Sequence, residues 1–254
     1  MAGKTRTRID QALVARGLAE SRTRAQALVL AGLVTVGTRR VDKPGETVAD
    51  DADIHVKSKE HPWVSRGGLK LAHGLDQFAI DPAGLVCLDL GASTGGFTDV
   101  LLARGAARVY AVDVGHGQLA WTLRQRSEVV VLERTNARDL SHTQVPEQVG
   151  LITCDVSFIG LEVALPAALA LAAPGARLVA LIKPQFEVGR GQVGKRGVVS
   201  DPALHEAVCT RIGAWLASRP GWSVLGLTES PIRGPEGNTE FLIAAREHSP
   251  SLPG

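Results

Sequence analysis

The sequence predicts an α/β protein: a doubly wound, mostly parallel sheet of seven strands behind a small N-terminal α+β domain. Three observations carry that expectation. From residue 85 onward, short apolar runs alternate with helical stretches. The segment LVCLDLGASTGGFTD (85–99) joins one such run to a glycine-rich turn and then to a helix. Residues 1–43 hold nine Lys/Arg against Asp10, Glu20 and Asp42, a local +6 that leaves −4 on the rest of a chain whose net charge is +2.

The basic segment reads as two helices followed by short strands. Residues 8–18 form a helix with Ile9, Ala12 and Leu13 on one face, closed near Gly17. Ser21 is placed to cap a second helix over 22–31, with Gly32 at the left-handed position that ends it. LVTV (33–36) is a strand, Gly37 to Arg40 a turn, Lys43-Pro44-Gly45 another, and IHV closes the unit near residue 56. So short a unit has little interior. The expected boundaries are a basic domain over 1–60, a linker over 61–66 and the sheet domain over 67–248, with Trp63 packing between the domains.

The sheet domain opens with a helix over 68–80 that turns Leu69, Leu71, Ala72, Leu75 and Phe78 toward the body. Strands follow at 85–90, 108–113, 129–132, 150–155, 177–183, 223–228 and 240–245. Helices lie between them after residue 95, near 118–125, at 160–172 and at 202–218. Such alternation builds a parallel sheet. No helix separates the last two strands, so one of that pair runs antiparallel.

The turn after the first strand of the sheet domain is where a cofactor belongs. Gly91, Gly95 and Gly96 remove side chains where backbone turns tightly and approaches a ligand. A phosphate-binding P-loop needs Lys after the last glycine, and Phe97 stands there. A dinucleotide fingerprint would align Gly91, Ser93 and Gly96, with a serine where the backbone approaches a pyrophosphate. A cofactor without a pyrophosphate tolerates Ser93, and S-adenosylmethionine is the common one. Gly91-Ala92-Ser93-Thr94-Gly95 also fits the nucleophile elbow of serine hydrolases. That architecture needs sheet strands before the elbow and a later histidine, and only His248 in a Pro/Ser tail follows the last strand.

In open α/β sheets, ligands sit at the carboxyl ends of the strands. Asp89, Asp113, Asn136, Asp155 and Lys183 fall there. The loop Gly91, Ala92, Ser93, Thr94, Gly95, Gly96 and Phe97 is expected to hold the methionine part of the donor. Asp113 is expected to take the ribose, Asn136 and Ala137 the adenine, and Asp89 and Asp155 complete the cofactor set. Lys183 ends the apolar run LVALIK and needs a partner, which Asp155 on the neighbouring strand supplies. A structural ion pair is the plainer alternative. Cys87, Cys154 and Cys209 have no metal spacing and suit buried thiols in a reducing, cytoplasmic setting. No apolar run is long enough to span a bilayer, and no metal is expected.

Taken together, GASTGGF, RGGLK, CDVSFI, LIKPQFEVG and GPEGNTEF closely resemble the TlyA family of bacterial rRNA 2′-O-methyltransferases, also called hemolysins. RIDQALVARGLAESRTRAQALVLAGLVTVGTRRVDKPGETV resembles the S4-like RNA-binding domain. The resemblance runs from the basic domain to Arg246. It implies a Rossmann-like, FtsJ/RrmJ-like methyltransferase sheet and a Lys-Asp-Lys-Glu quartet falling on Lys70, Asp155, Lys183 and Glu240. It implies ribosomal RNA or ribosomal subunits as partner: cytidine ribose of the large subunit, and in some members the small one. No membrane and no stable protein partner are expected. The implied RNA surface comprises Arg6, Arg8, Arg22, Arg24, Arg39, Arg40 and Lys43. A solvated charged face is the plainer reading of those residues.

In that chemistry Lys183 is the candidate base, although an unperturbed lysine near 10.4 is only ~0.04% neutral at pH 7. Desolvation and the charge of Lys70 act to lower its pKa, whereas Asp155 opposes them. Whether Lys183 removes the proton or only orients the hydroxyl stays open. Glu240 is expected to hold Lys70 and the substrate ribose in register. The loop 184–197, with Arg190, Lys195 and Arg196, reads as an RNA-contacting lid or as an ordinary solvated loop. Two rival functions are a membrane-active hemolysin and a non-catalytic ribosome-assembly factor.

Overall fold

The computed structural model describes residues 6–30, 32–56 and 61–248. Lys4, Ala31, residues 57–60 at the end of the expected basic domain and the tail from 249 lie outside them. The chain divides into two compact units, Met1–Pro62 and Trp63–Gly254.

In the first unit the order is β1 (Arg6–Arg8), α1 (Ile9–Ala15), α2 (Arg22–Leu30), β2 (Val34–Val36), β3 (Arg39–Arg40), β4 (Thr47–Ala49) and β5 (Ile54–Val56). Ile9, Leu13, Ala25, Val29, Val34 and Val41 are fully buried between these helices and strands. Two strands went unforeseen, β1 and β4, which pair antiparallel. Each has three residues, too few to show an alternation. Arg39 and Arg40, expected in a turn, instead pair with Val36 and Thr35 of β2, leaving Gly37 and Thr38 as the turn.

The second unit continues with α3 (Gly67–Gln77), β6 (Val86–Leu90), α4 (Gly96–Ala103), β7 (Arg108–Val112), α5 (Trp121–Arg124), β8 (Val129–Leu132) and β9 (Val149–Cys154). It closes with α6 (Leu161–Ala164), α7 (Pro166–Leu169), β10 (Ala172–Ile182), α8 (Pro184–Glu187), α9 (Pro202–Ala217), β11 (Trp222–Glu229) and β12 (Phe241–Glu247). One seven-stranded sheet has the order β11-β12-β10-β9-β6-β7-β8. In that sheet β12 alone runs against the direction of the other six strands. The helix expected over 160–172 is two short helices, because Pro166 has no N–H to continue the first and starts the second. Trp63 opens this unit and packs against α3, where a Cβ on Gly68 would lie 2.4 Å from its ring.

Alternation along the strands feeds both faces. Leu88, Leu90, Leu178, Ala180 and Ile182 enter a core layer with α6, α7 and α9. Cys87, Leu151, Val179, Leu181 and Leu242 enter the opposite layer with α3 and α4. The strand period of two then decides where the polar residues point. Asp89, Thr153, Asp155 and Lys183 share the parity of the second set, and Glu240 that of Leu242. All five are therefore directed to the side of the sheet that α3 covers. There, a Cβ on Gly74 would meet Val179 at 3.2 Å and Leu242 at 3.4 Å. One helical turn earlier, Lys70 reaches the same edge.

Candidate active site

The crossover connections reverse direction between β6 and β9, which leaves a crevice at their carboxyl ends. Two clefts open there. The larger, about 430 Å³, runs along Gly91, Ser93, Asp113, Gln118, Asn136 and Ala137 to the segment 155–159. The smaller, about 270 Å³, is bounded by Arg66, Lys70, Ala92, Thr94, Phe97 and Lys183. Gly91, Ser93, Asp155 and Ser157 belong to both, so the two are one continuous site. A roomier groove of about 690 Å³, between α9 and the β11–β12 edge, contains none of the sequence-predicted residues.

The quartet converges as two ion pairs. Lys183 Nζ lies 2.5 Å from Asp155 Oδ1 and donates to Ser157 Oγ at 3.0 Å and to the Asp155 carbonyl at 3.4 Å. Ser157 Oγ and the Asp155 carbonyl accept two of its N–H groups, and the Asp155 carboxylate adds the ionic contact. Lys70 Nζ lies 2.5 Å from Glu240 Oε2, with both side chains buried. Two charges so far from water persist because each satisfies the other. Glu240 lines neither cleft and is 1% exposed, so it acts on the site only through Lys70. The expected contact with substrate ribose is not supported by that placement. Gly234 is required beside Glu240: a Cβ there would fall 2.1 Å from Oε1.

Asp113 ties the cofactor loop together. Its Oδ2 accepts from Ser93 N at 2.8 Å and its Oδ1 from Gly115 N at 2.7 Å, leaving further lone pairs toward the cleft. Asn136 Oδ1 accepts from Arg138 N at 3.1 Å, and Ala137 lies buried against the cleft wall. Asp89 stands apart from the rest of the cofactor set. It is fully buried beneath α4, accepting from Thr98 Oγ1 at 2.7 Å and Thr153 Oγ1 at 3.2 Å. Burial pushes its carboxyl up to about 7, against the two hydroxyls that favour the charge. Asp89 shares the strand parity of Asp155 but lies level with Thr153, two residues short of it, where α4 covers it. Gly95 packs against Leu119 and Leu123, outside the lining of either cleft. Ser93 has a left-handed φ of +48, as an elbow serine needs, but its hydroxyl faces Gln118 at 3.4 Å rather than a histidine.

The sequence reading missed Ser157, Gln118 and Phe158. Phe158 is the most conspicuous of the three. It is 90% exposed, its φ is +67, and its ring centroid lies 4.9 Å from that of Phe186. A bulky side chain in the left-handed region is costly, and an exposed aromatic adds to that cost. The loop 184–197 is tied down at its end: Asn238 Oδ1 accepts from Val199 N at 3.1 Å, and Asn238 Nδ2 donates to Gly197 O at 3.0 Å. The side chains of Arg190 and Lys195 lie outside the described residues. Burial pushes the thiols of Cys87 and Cys154 up to about 12, which makes them inert.

In the first unit, buried Asp10 gathers part of the predicted RNA surface. It pairs with Arg8 at 2.9 Å and Arg22 at 3.0 Å and accepts from Gln26 at 3.0 Å. Those donors, led by Arg8, hold its carboxyl well below the usual range. Arg39 pairs with Glu46 at 2.5 Å, Arg40 with Asp42 at 2.8 Å, and Arg6 donates to the Thr47 carbonyl at 2.8 Å. Arg24 and Lys43 have no ion pair among the described residues.

Comparison with known proteins agrees with this geometry. The FtsJ-like methyltransferase family matches residues 63–247, and the S4 domain family matches residues 7–54. The 16S/23S rRNA (cytidine-2′-O)-methyltransferase TlyA of Mycobacterium tuberculosis is 50% identical over 95% of this chain and 90% of its own length. Hemolysin A of Brachyspira hyodysenteriae is 39% identical over 92% of this chain and 98% of its own. A solved Streptococcus thermophilus structure described as a candidate hemolysin superposes with TM-score 0.73 at 42% identity, covering 97% of this chain and 90% of that one. Among the described residues no helix is long and apolar enough to cross a membrane. With an S4 domain ahead of an FtsJ-like domain and relatives matched along nearly its whole length, the chain belongs to the TlyA family of rRNA methyltransferases.

Proposed function

We propose that this protein transfers a methyl group from S-adenosylmethionine to the ribose 2′-hydroxyl of cytidines in ribosomal RNA of the large subunit, with the small subunit as a second substrate. The convergence of Lys183–Asp155 and Lys70–Glu240 on a cleft continuous with the Gly91–Asp113 loop carries this reading. The larger cleft fits such a cofactor in size, at about 430 Å³. Its floor is bare backbone: a Cβ on Gly91 would come 2.7 Å from the Asp155 carbonyl. When bound, S-adenosylmethionine supplies a methyl on a cationic sulfur, already activated for displacement.

What remains for the protein is positioning and proton removal. Gly91, Ser93, Asp113, Asn136 and Ala137 hold the nucleoside and amino-acid parts. Asp155 and Ser157 stand where the two clefts meet and fix Lys183 beside the attacking oxygen. The Lys183–Asp155 pair would accept the hydroxyl proton, so that the ribose oxygen can take the methyl as the methyl's bond to sulfur breaks. Lys70, held by Glu240, places positive charge at the cleft wall, where developing negative charge on the ribose oxygen is stabilised. The test is tritiated-methyl incorporation into purified ribosomal subunits, followed by mapping of 2′-O-methylated cytidines. Absence of any incorporated label with either subunit overturns the proposal.

Exposed Phe158, backed by half-buried Phe186, gives an aromatic surface at the lip of the cofactor cleft, suited to stacking an unpaired target base. Phe158→Ala is expected to lower kcat/KM for RNA about 10-fold or more, since one base–aromatic stack is worth ~1–3 kcal/mol. Cofactor titration should be nearly unaltered, and an unchanged kcat/KM would remove Phe158 from substrate binding. The basic unit is assigned the docking role. Arg6→Ala with Arg22→Ala is expected to weaken RNA binding and flatten its dependence on salt by about 1.5–2 units of slope, roughly one for each cation removed. An unaltered slope, measured by filter binding across a salt series, assigns docking elsewhere.

A further inference from the structure

Lys183 and Asp155 extend from adjacent parallel strands, but the last paired residues of those strands are Ala180 and Cys154. Beyond them no ladder bond fixes one segment against the other, so the register of the catalytic pair needs a tie of another kind. Glu187 lies four residues after Lys183. Its Oε1 accepts from the backbone N–H of Leu161 at 2.8 Å, at the end of the loop that carries Asp155, Ser157 and Phe158. Its Oε2 lies 2.9 Å from Arg211 on α9, and the same guanidinium donates to the Glu187 carbonyl at 3.0 Å and to Glu162 Oε2 at 2.6 Å. A Cβ on Gly160 would sit 3.1 Å from Oε2, so that glycine lets the loop approach. The base of the clamp is firm, because Val208, Ile212 and Leu216 anchor α9 in the core.

Resting on the methyl-transfer reading above, we propose that Glu187 is a positioning residue: its buried carboxylate ties the Lys183 segment to the Asp155–Phe158 loop and so sets the spacing of the catalytic pair. The Glu187 side chain is 4% exposed, whereas Arg211 keeps 42% of its own exposure. A carboxylate that far from water is costly unless its oxygens are satisfied. Here they join two segments that each carry half of an ion pair. A purely structural salt bridge between α8 and α9 would not require the bond to Leu161.

Two readouts test the tie. Glu187→Ala is expected to lower kcat about 10- to 100-fold, the scale of a displacement near 1 Å at a reacting group, with cofactor affinity within two-fold. Glu187→Gln still accepts from Leu161 N and is expected to keep the greater part of turnover. Independently of turnover, acylation of Lys183 by an amine-reactive ester, read by mass spectrometry, should rise in Glu187→Ala and stay low in Glu187→Gln. Unchanged turnover together with unchanged labelling in Glu187→Ala overturns the inference, as does equal impairment of both variants. If Glu187→Ala does not fold, Arg211→Met takes its place: it keeps the Leu161 bond and should raise labelling only slightly, and full exposure of Lys183 would then make α9 the determinant instead. A wild-type protein without methyl transfer, but with labelling that responds as described, overturns the functional reading and leaves the tie standing.

Discussion

Lys183→Ala abolishes methyl transfer to ribosomal RNA while leaving affinity for S-adenosylmethionine within a few-fold. The two effects separate because the two clefts share Asp155 and Ser157 but only the smaller one contains Lys183. Losing the amine removes the group that faces Asp155 and Ser157 and with it the acceptor pair for the hydroxyl proton. General acid–base groups typically contribute about 10²- to 10⁴-fold, so the loss lies at or beyond the floor of most assays. The Asp155 side chain keeps 20% exposure, so water can reach the carboxylate left behind and the fold survives the change. Label incorporation beside calorimetric titration of the cofactor decides the matter. Turnover at the wild-type rate takes Lys183 out of the mechanism, whereas parallel loss of cofactor binding makes it part of the larger cleft. Asp155→Asn, at the junction, is expected to impair both measurements.

How much of this was legible in the sequence varies with the kind of residue. The sheet domain was readable because its strands are long enough for apolar runs to stand out, and the missing helix between 228 and 240 marked the antiparallel strand. Asp155 and Lys183 were readable for a related reason: a charged residue ending an apolar strand has to find a partner, and parallel neighbours provide one. Asp89 shows where that reasoning stops. It also ends an apolar strand and points to the same side, but it lies level with Thr153, two residues short of Asp155, where α4 closes over it through Thr98. Parity alone does not separate it from Asp155 and Lys183; its depth along the strand does. Phe158, Ser157 and Glu187 carry no such signal. Their roles come from a left-handed backbone, a hydroxyl within reach of Lys183 and a carboxylate folded back onto another loop, and none of these is local in sequence. Strands β1 and β4 of the basic unit were invisible because pairing, not composition, defines them.

Gly91→Ala is expected to remove cofactor binding and methyl transfer together, and to destabilise the protein as well. Gly91 follows β6 with φ +79, a conformation that costs an L-residue about 1–2 kcal/mol. Its missing side chain matters more. A Cβ there would lie 2.7 Å from the Asp155 carbonyl oxygen, 2.9 Å from its carbon and 3.1 Å from Val156 Cα. These are backbone atoms held by β9, and Asp155 N itself donates to the Leu90 carbonyl at 2.8 Å, so the loop cannot swing aside alone. Relief requires the β6 and β9 carboxyl ends to part, which opens the crevice and displaces Asp155 from Lys183. Overpacking of this kind costs a further ~1–3 kcal/mol, and the sum lowers Tm on the order of 10 °C in a domain this size. The same substitution therefore moves three observables at once: melting temperature, cofactor affinity and turnover. A variant that melts lower but binds cofactor normally would show that the turn does not form the cofactor floor. A variant that melts at the wild-type temperature would show that Asp155 and Gly91 are not in contact.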